Sequence, residues 1–394
     1  MMSFSKLSLT LSLPAFALAS CANANSGETA EAGTADGSGD ASYQVTAMGE
    51  FDEPWAIEFA PGTNMLFVTE KAGTLKVMDA ANGEVGTVGG APEVAYGGQG
   101  GFGDIAFLPS EARGDLYGRT IYLSWAEMGD EGEGDATRGA VVGRGTLACS
   151  GVDDCTVVGL EVIWRQAPKV TGRGHYSHRI TFSPDEEYMF IASGDRQKLE
   201  PAQDLSNTLG SIVRLNLDGT PAEGNPFADQ GGTTAEIWSY GHRNILGMDW
   251  DAQGRLWDIE HGPAGGDELN LVQREANYGW PTRSYGNHYN GDPITDHSED
   301  DGFTKPAAHW TPVIAPGDMI IYSGEMFGRW QGDALIAGLS SQALIRVDID
   351  GDTATEAARY EMENRLRSVE QGPDGSIWVA EDGDGGRVLR LSAK

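Results

Sequence analysis

WAIEFAP (residues 55–61) opens a unit that recurs in altered form as GDIAFLP (103–109), RITFSP (179–184), GMDWDAQG (247–254), DMIIYSG (318–324) and RSVEQGPDG (367–375). Each copy alternates or clusters its apolar residues over a few positions, the pattern of a strand rather than a helix. Second strands follow several of them: MLFVTE, YMFIASG, RLWDIE, DALIAG and SIWVAE. Third strands come next, among them TLKVMD, SIVRLNLDG, ALIRVDIDG and RVLRLSA. A sheet this small cannot bury its own apolar face, so the copies must stack on one another. Six openings predict an all-β fold: a six-bladed β-propeller of four-stranded antiparallel sheets running from Tyr43 to the end of the chain. A double β-sandwich also uses short strands, but six like openings favour radial repetition. The openings are unevenly spaced, so some blades carry long excursions, and function concentrates on such loops.

Composition agrees with many strands and tight turns. The 394 residues include 55 glycines, and only 22% are charged. With 59 acidic against 27 basic side chains the formal charge is −32, which would repel a phosphate backbone and makes nucleic acid an unsuitable partner. Most of that acidity reads as solvated surface, with a few carboxylates free to hold calcium.

The amino terminus carries the apolar run LSLTLSLPAFALAS and then Cys21, a secretory signal (residues 1–21) with a lipobox-like end. Residues 22–42 hold no large apolar side chain and read as a flexible tether. The expectation is an exported, periplasmic protein, tied to a bacterial membrane through a lipid on Cys21. In that oxidising compartment Cys149 and Cys155, which bracket SGVDD, are expected to pair.

The most informative stretch is Glu236 to Pro281, EIWSYGHRNILGMDWDAQGRLWDIEHGPAGGDELNLVQREANYGWP. Its GHRN, HGP-x-GGDE and NYGWP elements resemble the soluble glucose and aldose sugar dehydrogenases that use pyrroloquinoline quinone (PQQ), and the likeness extends from about Trp55 to Leu391. The resemblance implies hydride transfer from the anomeric carbon of an aldose to PQQ beside a calcium ion. The product would be a lactone, with electrons passed on to an external acceptor.

Site residues follow from the same likeness, read together with their chemistry. An alcohol must lose its proton as its carbon gives up hydride, and imidazole suits that task near neutrality. In GRGHYSHRITF the matching base is His175, oriented by Asp195 of the GDR that ends the next strand; His178 is a close competitor. Arg243 and Asn244 of GHRN imply contacts to the quinone, where a guanidinium would stabilise developing oxyanion charge. Arg365 and Arg367 alternate on one strand face and suit the carboxylates of PQQ. Gln99 matches an active-site glutamine. The Gly262 and Pro263 carbonyls would hold the PQQ-linked calcium, and Glu268 with the Tyr278 carbonyl a second, structural one. The Gly129–Asp135 loop lacks the spacing of a calcium loop and reads as solvated.

Two positions depart from the glucose dehydrogenase pattern: Leu246 stands where those enzymes have glutamine, and Ser340 where they have a cofactor-binding lysine. Two other readings stay open at this stage, a non-catalytic propeller that binds sugar or protein, and a calcium-dependent propeller lactonase. The latter would hold its metal by side-chain carboxylates and an asparagine in the central channel.

Overall fold

The structure, a computed structural model, describes residues 42–129 and 136–394. The expected signal segment, Cys21 and all but the last residue of the tether lie outside them, as does most of the Gly129–Asp135 loop. No helix among the described residues is long and apolar enough to cross a membrane.

The described residues form six four-stranded antiparallel sheets, the propeller expected from the repeats. Their innermost strands are Pro54–Phe59, Phe102–Ala106, Ser177–Phe182, Ile245–Trp250, Pro316–Ile321 and Leu366–Gln371, in blades one to six. All six sequence openings fall on or against these strands. The second strands of blades four, five and six, Leu256–Glu260, Ala334–Gly338 and Ile377–Glu381, are buried throughout. They are covered on both faces by neighbouring blades, which is why they read as unbroken apolar runs. The outer strand Thr353–Glu361 alternates exposed and partly buried positions instead.

Apolar cores therefore lie between blades and not on the axis. Phe67, Leu75 and Val77 of blade one pack with Phe102, Ile105, Ile121 and Leu123 of blade two. Trp257, Ile259 and Leu269 of blade four pack with Met319, Ile336 and Ile345 of blade five. Each well-buried side chain of this kind stabilises the ring by about 1.5–3 kcal/mol.

Blade six closes the circle with a strand from the other end of the chain. Tyr43–Phe51 pairs with Gly386–Ala393, from Tyr43 opposite Ala393 to Phe51 opposite Gly386. Cys149 and Cys155 face one another across the outer hairpin of blade two and form the expected disulfide.

Every innermost strand carries a register shift near its first residues, where it pairs with its neighbour. Bulges turn side chains away from the regular alternation. Here they turn them at one common end of the channel.

Candidate active site

The ends of the inner strands at which the bulges sit surround a cavity of about 220 Å³. Blade one contributes Trp55 and Lys71, the following loop Gln99, blade three Tyr176 to His178, and blade four Asn244, Leu246 and His261. Blade six adds Arg365 and Arg367. Four of the residues singled out from sequence are thus brought into one wall: Gln99, Asn244, Arg365 and Arg367.

His175, Asp195 and Arg243 form a second group directly beside that wall. The His175 N–H donates to Gln99 Oε1 at 2.7 Å, and the Asp195 N–H donates to the Arg243 carbonyl at 2.9 Å. His175 Nδ1 lies 2.6 Å from Asp195 Oδ1, while Trp280 Nε1–H donates to Asp195 Oδ2 at 2.8 Å. His175 and Asp195 are both buried. Burial raises the carboxyl, but the His175 hydrogen bond, the His175 charge and the Gln197 N–H outweigh it, so Asp195 titrates below the usual range. An ionised Asp195 makes Nδ1 the donor and leaves Nε2 as the basic nitrogen. Burial, partly countered by Asp195, lowers the His175 pKa and keeps the ring neutral at physiological pH.

His178 is held otherwise. Its Nδ1 lies 2.8 Å from Ser124 Oγ, and its ring stacks on Trp55 at 4.9 Å. Burial and nearby arginines push its pKa down to about 3. It has a hydroxyl partner where His175 has a carboxylate, so the orienting and charge-balancing group belongs to His175.

The chain between them is strained: His175, Ser177 and His178 all take positive φ, of 49°, 57° and 55°. Such conformations cost about 1–3 kcal/mol each and persist where the surroundings hold them. Two glycines make room. A Cβ on Gly103 would strike the His178 ring, and one on Gly194 the His175 carbonyl.

Arg243 spans the boundary between the cavity and the long excursion of blade four. Its Nη1 donates to the His261 carbonyl at 2.9 Å, its Nη2 to the Tyr289 hydroxyl at 3.2 Å, and its guanidinium carbon sits 5.2 Å from the Trp280 ring centre. Among the described residues its buried Nε has no hydrogen-bond partner. Arg365 and Arg367 each donate through Nε to Asp382, at 2.9 Å, so one carboxylate offsets two guanidiniums.

Gly262, Glu268 and Tyr278 line a second, much smaller space of about 10 Å³, together with Glu260. Gly262 and Pro263 are buried, and among the described residues no donor reaches either carbonyl. Glu268 is buried with no donor on its carboxylate among the described residues, and burial and the charges of Glu260 and Asp258 raise its pKa well above normal. Pro263 itself lines neither space, though it follows Gly262 directly.

Of the two departures, Leu246 is part of the cavity wall and packs on Trp55 and Ala56. Ser340 stays outside, its hydroxyl donating to the Val313 carbonyl at 3.2 Å, while its neighbour Leu339 faces the cavity. Sequence reading missed Trp55, Lys71, Tyr176, His261 and Trp280 as parts of the site. His261 and Trp280 lie inside the HGP and NYGWP elements, so a signal existed for them; Lys71 sits in a turn with none.

A buried imidazole–carboxylate pair thus stands beside a cationic cavity at one mouth of the propeller, an arrangement suited to an anionic group and a proton. Residues 51–390 match the family described as Glucose / Sorbosone dehydrogenase. The chain is 35% identical over 351 residues to the aldose sugar dehydrogenase YliI of Escherichia coli, covering 88% of this chain and 91% of that one. It superposes on the apo-form crystal structure of the soluble E. coli aldose sugar dehydrogenase with a TM-score of 0.82 at 34% identity, over 90% of this chain and all of that one. A PQQ-bound aldose sugar dehydrogenase from Streptomyces coelicolor is similar at a TM-score of 0.71 and 26% identity, over 90% and 99% of the two chains. The protein belongs to the glucose/sorbosone dehydrogenase family and is an oxidoreductase of the sugar dehydrogenase type.

Proposed function

We propose that the chain oxidises aldose sugars at the anomeric carbon to lactones, using PQQ and calcium, and passes the electrons to an external acceptor. The observation that carries this reading is the buried His175–Asp195 hydrogen bond set against a cavity walled by Arg365 and Arg367. The residues present fit the cofactor: paired guanidiniums suit carboxylates, and the unpartnered Nε of Arg243 is a donor with capacity to spare. They fit a cation too, since the Gly262 and Pro263 carbonyls are free and Glu268 is a buried acid without a donor. Gln99, Arg243, Asn244, Arg365 and Arg367 would hold PQQ, the Gly262 and Pro263 carbonyls its calcium, and Glu268 with the Tyr278 carbonyl a second, structural calcium. When bound, PQQ supplies the two-electron hydride acceptor, and calcium polarises it as a Lewis acid.

The chain's own residues do the rest. His175 Nε2 takes the proton of the anomeric hydroxyl, a step worth about 10²–10⁴-fold when the base is well placed. Asp195 fixes the tautomer and balances the imidazolium that forms, and Trp280 fixes Asp195. Arg243 brings positive charge to the side of the cavity next to His175, where a bound quinone would gain negative charge as hydride arrives.

A lactonase would need its metal on channel carboxylates. Two of those present, Asp104 and Asp318, are already engaged by Arg179. Reconstitution tests the proposal. Protein stripped of metal should be inert and should regain aldose-dependent dye reduction only when PQQ and calcium are supplied together. Binding of PQQ without reduction by any aldose would overturn the sugar assignment.

A further inference from the structure

We infer that Lys71 is a further cationic ligand for the cofactor beside Arg243, Arg365 and Arg367, reaching the cavity from the blade next to the arginine pair. The inference rests on the PQQ reading above and adds a residue to it. Arg365 and Arg367 stand at the start of blade six, and Asp382 neutralises one of their two charges. Lys71 sits in the turn directly after the second strand of blade one and lines the same cavity, with Trp55, Gln99 and both arginines. A cofactor that carries several carboxylates gains from each cation lining its cavity, and Lys71 adds one to the arginine pair.

The backbone at Lys71 is fixed on both sides. Its N–H donates to the Glu53 carbonyl at 3.0 Å, and its carbonyl accepts from the Phe102 N–H at 2.9 Å. Gly101, at φ 155°, lets the neighbouring loop close onto this carbonyl, which a Cβ there would strike. The base of the side chain is therefore set, while its end is loosely held. Nζ lies 3.4 Å from Glu53 Oε1 and 5.6 Å from the Tyr96 ring centre, and the side chain is 21% exposed. The other Glu53 oxygen accepts the Tyr96 hydroxyl at 2.5 Å, which draws charge away from the lysine contact. An ammonium with three donors and one long contact is free to turn to a stronger acceptor.

Equilibrium titration of PQQ into metal-stripped protein in the presence of calcium, read by quenching of tryptophan fluorescence, tests this without turnover. Lys71→Met should raise the dissociation constant about tenfold, the scale of one charge-assisted contact, and Lys71→Arg should recover most of it. Glu53→Gln should leave the affinity equal or tighter, because it releases the ammonium. Equal affinity of wild type and Lys71→Met overturns the inference and leaves the PQQ reading intact. Loss of affinity in Glu53→Gln equal to that in Lys71→Met also overturns it, because the pair would then act as a structural brace. If the wild type itself fails to bind PQQ, both fall together.

Discussion

Where the inner strands begin, the channel mouth carries Lys71, Arg365 and Arg367; where they finish, it opens into a cavity of about 650 Å³ carrying Glu58, Asp249 and Glu370. Only a few residues along the same strands separate the two. At the first mouth, two carboxyls titrate low. Asp382 is held below its ordinary range because its two arginines outweigh burial, and Asp195 because His175 and the Gln197 N–H do. At the second, burial dominates and the acids repel one another, so Glu58 and Glu370 are raised well above normal and Asp249 to about 6. The same side-chain chemistry thus gives Asp382 and Asp195 permanent charge and the acids of the second cavity a preference for protons. The difference lies in whether a cation stands within reach.

Arg179 divides the two ends. It is buried over the Trp55 ring at 4.2 Å, and donates to Asp104 at 2.8 Å, to the Leu246 carbonyl at 2.6 Å and to the Gly317 carbonyl at 2.9 Å. Its contact with Asp318, 3.3 Å away, continues through Ser368 to the Ile57 N–H. One guanidinium therefore ties five blades through a polar axis while the apolar cores lie between them. Burial still raises Asp318 to about 6, since a single cation is shared by two acids.

The largest expected effect breaks the functional end. His175→Ala should lower kcat/KM for the aldose by about 10²–10⁴-fold while PQQ titration stays close to wild type, and His178→Ala should cost less. A reversed order would transfer the base to His178 despite its hydroxyl partner. Next in size, Arg179→Met should destabilise the fold by about 3–5 kcal/mol in denaturant unfolding, because it leaves two buried acids without a counter-charge. The loss should shrink in mild acid, where Asp318 takes up its proton; a loss that ignores pH would mean packing and not charge is at stake.

The smallest effect sharpens the acidic end. Glu370 binds its proton more tightly in the folded than in the unfolded chain, so stability falls as pH rises from the ordinary carboxylate range through the raised value. Glu370→Gln removes that penalty. It should add about 1 kcal/mol near pH 8 and nothing near pH 4, measured as paired unfolding curves. A gain at both pH values would refute electrostatic strain as its cause.

Much of this molecule is legible in its sequence, for a local reason. The six openings, the buried second strands and the Cys149–Cys155 hairpin are set by residues near one another in the chain, where alternation and turn chemistry act. His175, Arg243 and the arginine pair were visible because they sit in short, distinctive runs. Lys71 was not, because nothing around it distinguishes a cavity lysine from a turn lysine.

What sequence alone determined, then, is the repeated unit and the chemistry available at its ends. Tertiary structure decided which residues meet. Ring closure through Tyr43–Phe51 depends on a partner more than three hundred residues away, and no local pattern records it. His175 and His178 differ through a bulge and three left-handed residues, which send one ring to Asp195 and the other to Ser124. The opposite charge of the two channel mouths arises in the same way: each strand brings one or two groups, and only the closed circle gathers them close enough for their fields to add.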